Sequence, residues 1–251
     1  MRIFILILLV FLPYSQTSTS KRLSDREQNG FIGPVKKVFV EWTPVSQPRH
    51  GIQPGTRCRE LTSIYDESGR LMHSSVYPGS CGSDELRDTY TYDKEGHRTT
   101  RTEEIRGQGS PPPPAMAPAG ERETGPPKNV FQYDESGRLT ETIVLRPSGK
   151  LVYKYTYKYD EKGRPIEYAS YDGNGKAGDR RVYTYTGDQK VPSSFIYYGH
   201  DGKVYIKTLY EEYEFNSLGD WIKRKEITEE LYSPKSAFLT FRNIEYYEAK
   251  K

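Results

Sequence analysis

The chain has 251 residues, 37 Lys and Arg against 34 Asp and Glu, and only 34% hydrophobic residues, yet it contains 22 Tyr. The two charge signs are interleaved, which excludes the basic footprint of a nucleic-acid binder. Aliphatic residues are so scarce that any dry surface has to be built largely from Tyr rings.

In chain order, Arg2 precedes an unbroken apolar run from Ile3 to Leu12, followed by the polar stretch Ser15 to Ser20. That is the layout of a secretory signal peptide over residues 1–20. It predicts export to the periplasm or the outside of the cell, with no cysteine near the cleavage point to take a lipid. No later segment is apolar enough to span a membrane as a helix. Residues 21–251 read as one β-sheet domain. Losing Arg2 with the signal lowers the formal charge from +3 to about +2, which points to no class of partner. The two cysteines are Cys58 and Cys81. In an exported chain a disulfide between them is expected, stabilising by roughly 3 kcal/mol, with two free thiols as the alternative.

The dominant pattern is the phrase Tyr65-Asp66-Glu67-Ser68-Gly69-Arg70-Leu71, repeated identically at Tyr133–Leu139. Weaker copies run from Tyr92 to Arg98 and from Tyr159 to Pro165. More degenerate ones start at Tyr171 and Phe215. Asp three residues before Gly is the chemistry of a type I turn closing through a left-handed glycine. Asp66, Asp93, Asp134 and Asp160 make the turns, and Gly69, Gly96, Gly137 and Gly163 permit them. Arg70, Arg138 and Arg164 then face the Asp of their own turn on one side of the hairpin. On the other side Tyr65 meets Leu71, Tyr133 meets Leu139 and Phe215 meets Trp221. These residues are read as structural staples rather than as a repeated ligand site.

Between the turns the residues alternate with period two, as in Leu151 to Tyr159, where every odd position after Leu151 is Tyr. Further turns at Arg146–Gly149, Gly175, Gly187 and Gly202 make the unit a strand plus turn of about 13 residues. The pattern predicts an all-β antiparallel meander of about 12–14 strands and no convincing helix. Residues 107–128, with Pro111 to Pro114, are expected to form a Pro-rich disordered or polyproline loop within one sheet, a linker between two domains being the rival reading. A sheet this wide curls, giving an open barrel or partial shell with the Tyr/Leu side inward. The first and last strands are expected to be its edges.

These residues resemble the YD-repeat (Rhs-type) family, whose unit carries Tyr-x-Tyr-Asp-x-x-Gly-Arg-Leu. The matches are Tyr90–Arg98, Phe131–Leu139 and Tyr157–Pro165, with Ile64–Leu71 keeping the second half. In large members such repeats form a spiralling β shell, sometimes around a C-terminal toxin. This chain is too short to enclose a domain and has no separate toxin segment, so the resemblance implies the strand-turn architecture alone.

No catalytic, cofactor or metal site emerges. His50, His73, His97 and His200 are scattered, and nucleophile and phosphate-loop motifs are missing. Asp172-Gly173-Asn174-Gly175-Lys176 starts like a calcium loop but puts Lys176 and Tyr183 where ligands are needed. The reading is therefore a non-enzymatic exported protein, a scaffold or protein-interaction module of the envelope or cell exterior. The alternative is carbohydrate binding, with Trp42 and Trp221 as the stacking rings. Rings enclosed in the sheet favour the former, and rings left open in a concavity favour the latter.

Overall fold

The computed structural model describes residues 24–45, 52–77, 81, 84–106, 125 and 127–248. The expected signal peptide lies outside the described residues, as does most of the Pro-rich loop. A four-residue helix, α1 (Asp25–Gln28), is followed by fourteen strands. These are β1 (Val35–Pro44), β2 (Cys58–Tyr65), β3 (Leu71–Val76), β4 (Glu85–Tyr92), β5 (Arg98–Arg106), β6 (Lys128–Tyr133) and β7 (Leu139–Leu145). Then come β8 (Leu151–Tyr159), β9 (Pro165–Asp172), β10 (Ala177–Thr184), β11 (Ser194–Tyr198), β12 (Val204–Phe215), β13 (Trp221–Glu230) and β14 (Ser233–Tyr246).

Every sequential pair except β5 and β6 forms an antiparallel hairpin, and β1 pairs with β14 from Val35–Tyr246 to Pro44–Phe238. The sheet is thus an all-β meander curled into a nearly closed barrel. This corrects one expectation: the first and last strands are not edges but partners, and the edges are β5 and β6, brought face to face. The physical reason is that accumulated twist carries the ends of the chain together, while the segment after Arg106 interrupts the meander.

The turns obey the local chemistry. Asp134 donates its N–H to the Arg138 carbonyl at 2.9 Å and accepts the Gly137 N–H on its own carbonyl at 2.8 Å. Its carboxylate takes the Arg138 backbone N–H at 2.9 Å and Nε at 2.6 Å. Asp66 with Arg70 and Asp160 with Arg164 repeat this, at 2.6 and 2.7 Å for the Nε bond. Gly137 sits at φ 74°, which a side chain would resist. At Asp93, His97 takes the place of Arg, its backbone N–H reaching the carboxylate at 2.7 Å. Because two strand-turn units return the chain to the same end, the turns at 66–70, 93–97, 134–138, 160–164 and 216–220 all lie on one rim. The turns at 146–150, 172–176 and 199–203 lie on the other.

A helix was not expected, and α1 is the second correction. Ser24 caps it, and Glu27 reaches back to the Ser24 N–H at 2.7 Å, completing a capping box. Alone, a helix this short has no stability. It forms because residues 24–33 lie across the turn rim as a plug. Asp25 accepts the Leu71 N–H at 2.9 Å and the Tyr92 hydroxyl at 2.6 Å, and pairs with Arg98 at 3.0 Å. Arg26 donates its N–H to the Gly69 carbonyl, and Asn29 bonds the Tyr65 hydroxyl at 2.8 Å. Farther on, the Ile32 and Gly33 N–H groups and the Tyr246 hydroxyl converge on the buried Asp220 carboxylate. Phe31 seals the rim edge-on against Tyr65 at 5.8 Å between centroids, in a cluster with Val35, Val38, Val40 and Leu71. The main apolar cluster therefore sits at this end.

Candidate ligand-binding site in the barrel lumen

Alternation places the Tyr rows of β8 and β9 inside the barrel, where Tyr155 stacks on Tyr168 at 5.3 Å and Tyr157 meets it edge-on at 5.4 Å. With Tyr90, Phe131, Arg98 and Arg101 they surround a void of about 200 Å³ beside the β5–β6 seam. Its charges are matched. Arg101 pairs with Asp88 at 2.8 Å, and Arg98 with Asp25 of the plug.

A larger cavity of about 410 Å³ lies on the other side of the lumen, between β1, β2 and β10–β14. Its aromatic wall is Trp42, Tyr183, Phe195, Tyr210 and Phe238, and its polar wall includes Glu60, Arg224, Glu226, Glu230 and Thr240. Trp42 and Phe238 meet edge-on at 5.4 Å, and Tyr183 and Phe195 tilt together at 5.3 Å. Glu60 enters because β2 bulges there: Val40 pairs with Leu61 and Glu41 with Arg59, so Glu60 is passed over and turns toward the lumen. Glu212 of β12, at φ 51° beside a register shift, brings Tyr213 round against Trp221, 6.0 Å away.

Arg224 forms the floor of this cavity, and Arg242 lies beneath it, outside the lining. Both guanidiniums rest on the Trp221 indole, 4.5 and 3.8 Å from its centroid, and Arg224 also covers Tyr210 at 4.0 Å. Arg224 is bonded to Glu226 at 2.8 Å, and Thr240 donates its hydroxyl to the same carboxylate at 2.6 Å. Burial lowers the proton affinity of Arg224, but Glu226 outweighs it and holds the guanidinium firmly charged. Arg242 lies one inward position below Thr240, between Trp221 and Phe31, and its buried Nε has no hydrogen-bond partner. Burial, with Arg224 nearby, pulls it down to about 9, so it keeps its charge at neutral pH. Glu60 is the acidic counterpart. Its side chain is exposed to the lumen, yet desolvation by the surrounding walls first and then the neighbouring Glu226 push its carboxyl above the usual range, with Arg224 opposing.

Of the two candidate stacking rings, Trp42 lies in the cavity wall and Trp221 is buried beneath its floor, only 5% exposed. Cys58 and Cys81 are joined as a disulfide, tying β2 to the segment between β3 and β4. Asp172 spends its carboxylate on the Asn174 and Lys176 N–H groups, both at 2.9 Å, as a turn residue does. Sequence reading missed Glu60, Arg224, Glu226 and Arg242. Inward charge in alternating strands is visible in a sequence only once the inward face is known.

No protein-family model and no curated protein matches this chain. Among solved structures it is similar to a porin-like protein from Bacteroides uniformis, at 12% identity and TM-score 0.44, over 86% of this chain and 99% of that one. It is also similar to a putative outer membrane lipoprotein-sorting protein domain from Vibrio parahaemolyticus, at 11% identity and TM-score 0.39, over 90% of this chain and 92% of that one. A third is a LolA superfamily protein from Nitrosomonas europaea, at 10% identity and TM-score 0.32, over 90% and 93% of the two chains. No helix among the described residues is long and apolar enough to cross a membrane.

Proposed function

We propose that this is an exported, non-enzymatic binding protein built from YD-type hairpins, and that its ligand lies in the lumen of the barrel. The carrying observation is that the aromatic rows face inward yet leave a cavity of about 410 Å³. That volume is within the range of small-molecule sites, which combine apolar walls with a few placed polar groups. Val76, Leu86 and Ile105, in register across β3–β5, are 46, 36 and 37% exposed away from the plugged rim, so the lumen retains uncovered apolar wall. The plug closes one rim. Export is supported by the apolar run Ile3 to Leu12 behind Arg2.

The test uses a neutral fluorescent apolar probe, N-phenyl-1-naphthylamine, titrated against the mature protein. Saturable, blue-shifted binding near one probe per chain is expected, with loss of that signal in Ile206→Trp, which fills the cavity while keeping the fold. Binding that is unsaturable, or untouched by Ile206→Trp, refutes a lumen site.

A further inference from the structure

Arginines cover rings nearer the plug: Arg70 lies over Tyr92 at 5.5 Å, Arg138 over Tyr159 at 5.0 Å, and, at the plug end of the larger cavity, Arg224 over Tyr210 at 4.0 Å. In the wall of the larger cavity, Trp42, Tyr183 and Phe195 have no described Lys or Arg over their faces; their partners are other rings. The carboxylates divide in the same way. Glu226 is matched by Arg224 and Thr240, whereas Glu60 makes no side-chain hydrogen bond or ion pair with a described residue. Among the described residues lining this cavity the one guanidinium, Arg224, is engaged by Glu226, which leaves Glu60 to face the lumen.

We infer that the cavity is a site for an organic cation of the alkylammonium class, whose charge meets Glu60 and whose carbon-bound faces rest on the uncapped rings. This rests on the lumen reading above and adds the ligand's charge. A cation over a desolvated aromatic face is attracted by the ring quadrupole, and a matched carboxylate adds to that attraction. An anion entering here meets Glu60, Glu226 and Glu230 before it reaches the floor, where the Arg242 Nε is sealed from the lumen. A neutral sugar stacks on the same rings but leaves the Glu60 charge unmatched.

Three ligands with the same ten-carbon chain, each below its micelle concentration, compete against bound N-phenyl-1-naphthylamine: decyltrimethylammonium, decyl maltoside and decanoate. Decyltrimethylammonium is expected to displace the probe at a concentration at least tenfold lower than the other two, and Glu60→Gln to reduce that advantage to under threefold. Equal displacement by all three, preference for the maltoside or decanoate, or a cation preference unchanged in Glu60→Gln overturns the inference while leaving a lumen site intact. If the probe itself fails to bind, the lumen reading falls and this inference with it. Glu60→Gln is nearly isosteric, and retention of probe binding by that variant reports that its cavity is folded.

Discussion

Tyr159 donates its hydroxyl to the carbonyl of Leu139, 2.9 Å away and one hairpin earlier in the chain. The relationship recurs in Tyr185 to Pro165 at 2.9 Å, and the Tyr92 hydroxyl lies 2.6 Å from the Leu71 carbonyl, its one proton shared between that oxygen and Asp25. In each case the Arg of the earlier turn lies over the ring of the later Tyr, as Arg138 does over Tyr159 at 5.0 Å and Arg164 over Tyr185 at 4.4 Å. The repeated phrase therefore does two jobs. Its Asp, Gly and Arg close one turn, and its Arg and the next Tyr bind that turn to the following one. At the seam, where β5 and β6 share no ladder, His97 takes the Arg place beside Tyr133 at 5.1 Å, and the Tyr133 hydroxyl accepts the Arg98 N–H at 2.8 Å.

Removing one hydroxyl from this chain of staples has a calculable cost. Tyr159→Phe is expected to destabilise by about 0.5–1.5 kcal/mol, the usual net worth of such a bond. Tyr232→Phe, at a ring 83% exposed, is expected to change stability by far less. Urea unfolding of both variants checks this, and equal midpoints would remove the staple as a stabilising element.

What was legible in the sequence is what is local. Asp134 and Gly137 dictate their turn without help from distant residues, so the Tyr133–Leu139 register follows from a dozen residues of chain. The closure between Val35 and Tyr246 is set by twist accumulated over the whole sheet, and no short pattern encodes it. The Ser24/Glu27 capping box was present as a signal, but a helix of one turn has no periodicity to support it. The Phe215–Trp221 pairing is legible in the same way, but that Arg224 rests on the Trp221 indole inside the lumen depends on register shifts between β12 and β13 that composition does not reveal.

The plug hangs on Asp25. Its side chain and that of Arg98 are 11 and 13% exposed, so removing the carboxylate leaves a buried guanidinium unmatched. Asp25→Ala is expected to cost about 3–5 kcal/mol, and Asp25→Asn less, because the amide oxygen still accepts a hydrogen bond. Amide exchange separates this from a diffuse effect. The Leu71 N–H, held by Asp25 at 2.9 Å, is expected to lose protection before the Lys154 N–H in mid-sheet. Simultaneous loss at both sites would mean the plug is not an independent closure.

Arg242 runs the other way. It is buried, lacks a partner for Nε, and sits near a second guanidinium, so its charge costs stability that its stacking on Trp221 recovers only in part. Arg242→Met keeps the length and the apolar stem and is expected to raise stability by about 1–3 kcal/mol. Thermal and urea unfolding should agree in sign. A destabilised variant would show that the Trp221–Arg242–Phe31 stack outweighs the buried charge.

Asp66 and Asp160 on one hand and Glu60 on the other give the stability curve opposite slopes. Burial raises Asp66, but the hydrogen bonds from Ser68 and Arg70 outweigh it and hold the carboxylate below its ordinary value. Asp160 behaves likewise through Arg164. Their contribution is fully present above the unfolded value of about 4 and is lost as pH falls through the depressed native values. Glu60 is held above its ordinary value by desolvation from the lumen walls and by Glu226, with Arg224 opposing. Its ionisation therefore weakens the fold at neutral pH, and the penalty disappears as pH falls toward the unfolded value of about 4.3. Glu60→Gln cannot ionise, so it is expected to exceed the wild type in stability at pH 7–8, with the gap closing steadily toward pH 4.5. Paired urea titrations across that range measure the gap, which is small because Glu60 is exposed to the lumen, and a gap that is constant or widens on acidification would mean that the lumen walls and Glu226 do not raise its carboxyl.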